Sequence, residues 1–247
     1  EAGERTALSE FRIPVLPPSP GGISVSAIYS PPLVSGEAKK VPLEVKVFGR
    51  GGVPRSHADL FFRTTAGKVT GVEEKSPGLY LAWLQPPEEK IPRTVIVGVA
   101  DLSMPEVHPA FTALPFWGRT SIPVRTEPGS RVVMEIKGKK YRGVADSEGK
   151  AHIRVLVPPG ITEGMITAID NLGNQNSFTV NLSIPPVKRI LLHSPVMEGR
   201  AGGKDPLPLY CFVATAEGEP DPSARIVLRP SGGRVDGPLP GSGPVHR

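Results

Sequence analysis

Apolar residues in this chain recur at every second position in short runs, and the runs are closed by glycine, proline, asparagine or aspartate. Val132, Met134 and Ile136 share one face, and a turn follows at Gly138. A second turn falls at Asp146-Ser147-Glu148-Gly149, after which Ile153, Val155 and Val157 continue the inward face while His152 and Arg154 point outward. Beyond Met165 the pattern gives a strand, a turn at Asp170 to Asn174, and a strand with Phe178, Val180, Leu182 and Ile184 facing in. That strand ends at Pro185-Pro186, which cannot extend a hydrogen-bonded ladder. Helical periodicity is almost absent, because every apolar stretch spaced i, i+3, i+4, i+7 is interrupted by proline or glycine. The pattern predicts an all-β chain.

A longer period lies over this alternation. At one constant offset, Val41-Pro-Leu-Glu-Val-Lys-Val-Phe48 falls on Leu207-Pro-Leu-Tyr-Cys-Phe-Val-Ala214, and Gly52-Val53-Pro54 on Gly218-Glu219-Pro220. Leu60 to Arg63 falls on Ile226 to Arg229, and Gly67 on Gly233, at the same offset. Upstream, a slightly shorter offset sets Ile23 to Pro31 on Val187 to Pro195. This places one type of unit at residues 18–117 and a second copy at 187–247, separated by a different, shorter unit at 118–186. Residues 1–17 read as the closing strand of a preceding unit or a linker. By the offset that takes Val41 to Leu207, Arg247 corresponds to Leu81. The second copy is therefore expected to be an incomplete sandwich, lacking counterparts of Arg93 to Ala100 and Ala110 to Trp117.

Composition narrows the class. There are 30 prolines and 28 glycines in 247 residues, yet β-branched and aromatic residues persist through the runs, which suits many short strands joined by tight turns rather than disorder. One cysteine, Cys211, excludes an internal disulfide and any multi-cysteine metal cluster. No apolar run is long enough to span a membrane as a helix. The first residue is Glu1, so the chain reads as processed or cut from something longer. A formal net charge of +5 permits attraction to anionic polymers without requiring it.

The residues of the middle unit, PGSRVVMEIKGKKYRGVADSEGKAHIRVLVPPG followed by AIDNLGNQNS, resemble the bacterial immunoglobulin-like domains strung along surface proteins. The flanking unit, with AGKVTGVEEKSPGLYLAWLQPP, is similar to the invasin and intimin type of bacterial immunoglobulin-like repeat. The resemblance implies tandem immunoglobulin-like β-sandwiches, an extracytoplasmic location, and partners among further domains of the same longer chain, envelope proteins, glycans or anionic polymers. Fold alone does not give function.

Candidate chemistry is sparse. His57, His108, His152, His193 and His246 are scattered without metal-ligand spacing and read as exposed or loop residues. Ser147 and Lys150 have the S-x-x-K spacing but lie on a turn that holds a glycine, not on a helix. Asp170, Asn171 and Asn174 could offer oxygen ligands to a hard cation such as calcium. A single carboxylate supplies little charge there, and the stretch also reads as a hairpin turn. Arg131, Lys137, Lys139, Lys140, Arg142, Lys150 and Arg154 would form a cationic strip if most projected from one sheet. The competing reading is that edge-strand lysines prevent sheet-to-sheet pairing. With only Tyr141 interleaved, the stacking platform for single-stranded nucleic acid is lacking. Cys211 is expected as a small buried hydrophobe between Leu209 and Val213, and Trp83 and Trp117 as packing residues.

These readings point to a non-enzymatic structural stalk or scaffold with no cofactor. The proline-rich junctions Leu16-Pro-Pro-Ser-Pro20 and Ile184-Pro-Pro-Val187 are expected to make it a stiff, elongated rod. The alternatives are an adhesion or binding module and an accessory region of a secreted hydrolase.

Overall fold

The computed structural model describes residues 21–185, 189–199, 206–236 and the main chain of 245–246. The strand expected within residues 1–17, the Leu16 to Pro20 junction, and Pro186 and Val187 of the second junction lie outside the described residues. The chain is all-β: sixteen strands and no α-helix are found among the described residues.

The first sandwich is built from β1 (Gly22–Ala27), β2 (Leu33–Val34), β3 (Val41–Phe48), β4 (Leu60–Thr64), β5 (Lys68–Ser76), β6 (Leu79–Gln85), β7 (Arg93–Asp101) and the first half of β8 (Ala110–Arg125). One sheet runs β1-β3-β6-β5; the other contains β4, β7 and β8, with β2 added in parallel to β8. Between them Val41, Leu43, Ala82, Leu84, Val95, Val97, Leu114 and Phe116 form the core. In β3 the proline falls at a position facing away from that core, and burial alternates along the strand as the sequence pattern requires.

The second sandwich begins without a break in the backbone ladder. β8 pairs with β7 from Ala110 to Phe116 and with β11 (Lys150–Val157) from Gly118 to Arg125. Opposite it lies the sheet β10-β9-β12-β13, formed by β9 (Arg131–Ile136), β10 (Lys139–Val144), β12 (Glu163–Ile169) and β13 (Gln175–Asn181). Leu114 and Phe116 of β8 enter the first core, and Val124 enters the second with Val132, Met134, Ile153 and Ile166. Because side chains alternate along a strand, these even-numbered positions all lie on one side of β8. One strand therefore belongs to two cores.

The last of the four sheets among the described residues, called the third sheet after the third unit of the chain to which it belongs, is β14-β15-β16, from β14 (Ile190–His193), β15 (Tyr210–Val213) and β16 (Val245–His246). Its pairing repeats that of the first sheet. Val45 faces Tyr80 in one, and their sequence counterparts Cys211 and His246 face each other in the other. The isolated bridge Phe48 to Pro54 likewise recurs as Ala214 to Pro220. So do the turn bonds: Gly49 N–H to Val53 O at 2.8 Å becomes Thr215 N–H to Glu219 O at 2.7 Å. The upstream offset is corrected by the ladder, however. Val25 faces Val45, and Leu192 faces Cys211, so β14 is the counterpart of β1 with Leu192 in the place of Val25. Matching Pro31 with Pro195 pulls the alignment out of that register, setting Tyr29 rather than Ser26 on His193.

The elongated rod is also corrected. The third sheet folds back onto the outer face of β7 and β8, where Leu191, Phe212 and Ala214 pack with Ile96, Phe111 and Ala113. Thr94 Oγ1 donates to the carbonyl of Ala216, and Lys137 of the second sandwich reaches Glu217 at 2.9 Å. The packing has a sequence cause. The positions that are Ser24, Ser26, Glu44 and Lys46 in the first copy are Leu191, His193, Tyr210 and Phe212 in the second, so a polar outer face has become an apolar one.

Candidate interaction surface

The seven cationic residues do not share one sheet. Arg131, Lys140 and Arg142 lie on the outer face of the β10-β9-β12-β13 sheet, since their neighbours Val132 and Tyr141 turn to the core. Lys150 and Arg154 lie on β11, in the opposing sheet, whose outer face points the other way. Lys137 and Gly138 are the two central residues of the β9 to β10 turn, both at positive φ (48° and 78°), as a two-residue hairpin turn demands.

Local partners then reduce the free charge. Lys137 holds Glu217, whose carboxyl is kept below its ordinary range chiefly by that contact. Lys139 lies over the Tyr141 ring at 5.7 Å, Lys140 is 3.9 Å from Glu135 directly across the ladder, and Lys150 pairs with Glu148. Arg131, Arg142 and Arg154 make no ion pair among the described residues. Arg131 and Arg142 flank a shallow depression lined by Val133, Val144 and Ile169, with Val144 exposed. This is the one part of the sequence-derived strip where unpaired cations adjoin exposed apolar surface among the described residues. It could receive a partner that carries negative charge next to apolar groups.

The Asp170 turn uses its carboxylate internally. Oδ1 accepts the main-chain N–H groups of Leu172 and Asn174, each at 2.8 Å, and Oδ2 accepts the side-chain amide of Asn174 at 2.7 Å. These donors, the Asn174 side chain first, hold the carboxyl below its ordinary range. Asn171 donates toward the carbonyl of Pro128 at 3.4 Å and so ties the hairpin to the preceding loop. Asn174 thus presents its amide N–H rather than its oxygen to Asp170, and a cation would have to displace these N–H donors. Asp146 is built alike, accepting from the main chain of Glu148 and Lys150 at 2.9 Å, so Ser147 sits on a turn and Lys150 opens β11 directly after it. No cluster of three or more His, Cys, Asp or Glu is placed for a metal among the described residues.

Cys211 is buried and free, and burial raises its thiol pKa. Trp83 and Trp117 are half-buried on different sheets, so they do not form a paired aromatic platform. His57, His108 and His152 are exposed, and the side chain of His246 lies outside the described residues. His193 is fully buried, contrary to the expectation for it. The offset that sets it on Tyr29 puts it beyond the end of the strand, which hides its place in a ladder. The continuous apolar run Val95 to Ala100 is the available signal, since a strand buried on both faces loses its alternation.

No protein-family model matches the chain, and no curated protein matches it. Among solved structures it is similar to the adhesin InvE of Yersinia pseudotuberculosis, at 12% identity and a TM-score of 0.31, over 68% of this chain and 60% of that one. It is similar to InvD of the same organism at 9% identity and a TM-score of 0.30, over 78% of this chain and 69% of that one. A third likeness is to bovine butyrophilin, at 12% identity and a TM-score of 0.25, over 68% of this chain and 100% of that one. The chain thus spans 60% of the length of the InvE structure. The layering described above rests on the strand register of this chain itself.

Proposed function

We propose that this chain is a structural scaffold segment of an extracytoplasmic bacterial surface or envelope protein, built of tandem immunoglobulin-like sandwiches and without catalytic activity of its own. The observation that carries the reading is β8, which pairs with β7 at one end and β11 at the other and so joins two cores through a hydrogen-bonded ladder. A joint of that kind resists bending because any hinge must break ladder bonds or open a core. The recurrence of strand pairing and turn bonds between the first and third sheets supports the tandem organisation. The chain then acts as a brace, with the third sheet packed against the first sandwich.

The test is a distance distribution between spin labels on exposed positions of the two sandwiches, Glu73→Cys and Ser177→Cys, in a Cys211→Ala background. A single narrow distribution is expected. A broad one would remove the basis for a scaffold.

A second reading, adhesion, is favoured by the depression between Arg131 and Arg142. Under it, Arg131→Glu with Arg142→Glu abolishes binding to an anionic polymer, whereas Lys150→Glu with Arg154→Glu on the opposite face leaves it intact. Equal loss from both pairs would assign the binding to net charge.

A further inference from the structure

We propose that docking of the third sheet on the first sandwich is proton-gated, with the ring of His193 as the gate. His193 is fully buried at the seam between β14 and the outer face of β4, β7 and β8. Its ring meets Phe61 edge-on at 5.5 Å and Phe111 edge-on at 6.2 Å. Gly98 leaves the space for it: a Cβ there would stand 2.8 Å from His193 Cδ2 and 2.9 Å from the Phe111 ring. The Nε2–H group donates to the carbonyl of Phe61 at 3.2 Å, which fixes the neutral tautomer and leaves Nδ1 bare. Nδ1 is buried and makes no hydrogen bond.

Protonation would add an N–H donor and a full charge at that bare nitrogen. Two main-chain groups, the carbonyl of Phe61 and one of Ser194, favour the charge, but the side chains around the ring do not. β4 contributes Phe61 and the cation of Arg63, which lies 5.7 Å over the Phe61 ring. β7 contributes Ile96, Gly98 and Ala100, and β8 contributes Phe111, none of them titratable. Asp101, at the far end of β7, is already occupied by Arg55 and by the main chain of Asp59 and Ser103. β15 contributes Tyr210, opposite His193 on the ladder and 5.0 Å from the His108 ring. His193 makes no ion pair among the described residues. Burial is the largest effect and pushes its pKa below the ordinary histidine value; the carbonyl of Phe61 opposes it, Arg63 adds to it by a smaller amount, and the main chain of Ser194 opposes it least.

Linkage sets the sign. The undocked ring titrates near the ordinary value of about 6.5, and the docked ring only at lower pH. Above about 6.5 both are neutral and docking is at full strength. Below it the undocked state binds a proton that the docked state resists, so docking weakens up to about tenfold per pH unit until the lowered docked value is reached.

The experiment is small-angle scattering on the full chain at about pH 7.5 and about pH 5, on either side of the ordinary histidine value, with hydrogen exchange of β14 and β15 amides on the same samples. The native chain should gain in radius of gyration and lose protection in β14 and β15 at the lower pH. His193→Phe, and separately His193→Gln should the phenylalanine variant fail to fold, should stay docked at both. Gly98→Val should be open at both and serves as the undocked reference. A native radius and protection that do not change with pH would overturn the proposal. So would an acid opening that His193→Phe or His193→Gln shares with the native chain.

Discussion

The hydroxyl of Tyr80 ties together one end of the first sandwich. It donates to the carbonyl of Arg55 at 2.8 Å and accepts the N–H of Ala58 at 2.9 Å, pinning a loop whose His57 sits at a positive φ of 55°. Behind it the Asp101 carboxylate, wholly buried, accepts Arg55 Nε at 3.0 Å and the N–H groups of Asp59 and Ser103. Burial raises the phenol pKa, so the hydroxyl keeps its proton and remains a donor. Tyr80→Phe leaves a carbonyl and an N–H without partners, and the expected loss is about 1–3 kcal/mol of unfolding free energy. Denaturant unfolding measures it; an unchanged midpoint would mean that water replaces the phenol without cost. This network is not legible in the sequence, because it joins residues distant along the chain through side chains whose identities carry no period. The Asp146 and Asp170 turns are legible, since the donor N–H groups follow each carboxylate closely in the chain.

At the scale of elements, β8 shows what alternation can and cannot reveal. Strands buried on one face, such as β9 and β11, follow the period of two in both sequence and burial. β7 is buried on both faces, because the third sheet covers its outer side, so its apolar run is continuous. The sequence pattern suggests a change of unit after Trp117, yet the ladder simply changes partner there. Nothing local distinguishes a strand that stops from one that passes to a new neighbour. Gly118 is the position where this passage is tightest: a Cβ would lie 2.6 Å from Pro92 Cδ and 3.1 Å from the Lys90 carbonyl. Gly118→Val must push the Lys90 to Pro92 segment away, at an expected cost of about 1–3 kcal/mol. It should also broaden the distance distribution between the two sandwiches, whereas an unchanged width would show that the segment yields without loosening β8.

At the scale of the whole molecule, β7 and β8 lie between two sheets, β1-β3-β6-β5 on the inner face and β14-β15-β16 on the outer, and the second sandwich extends from the same β8. The docked face of the third sheet carries Leu191, Tyr210 and Phe212, while Ile190, Leu192 and Leu209, the counterparts of core positions in the first copy, remain exposed on its other side. β8 is one continuous strand, supported by β7 along one half and by β11 along the other. Hydrogen exchange across Phe116 to Thr120 tests it most directly. Protection there is expected to equal that of Val95 to Val99 in the middle of β7; fast exchange confined to Trp117 to Arg119 would instead show a linker between two independent sandwiches.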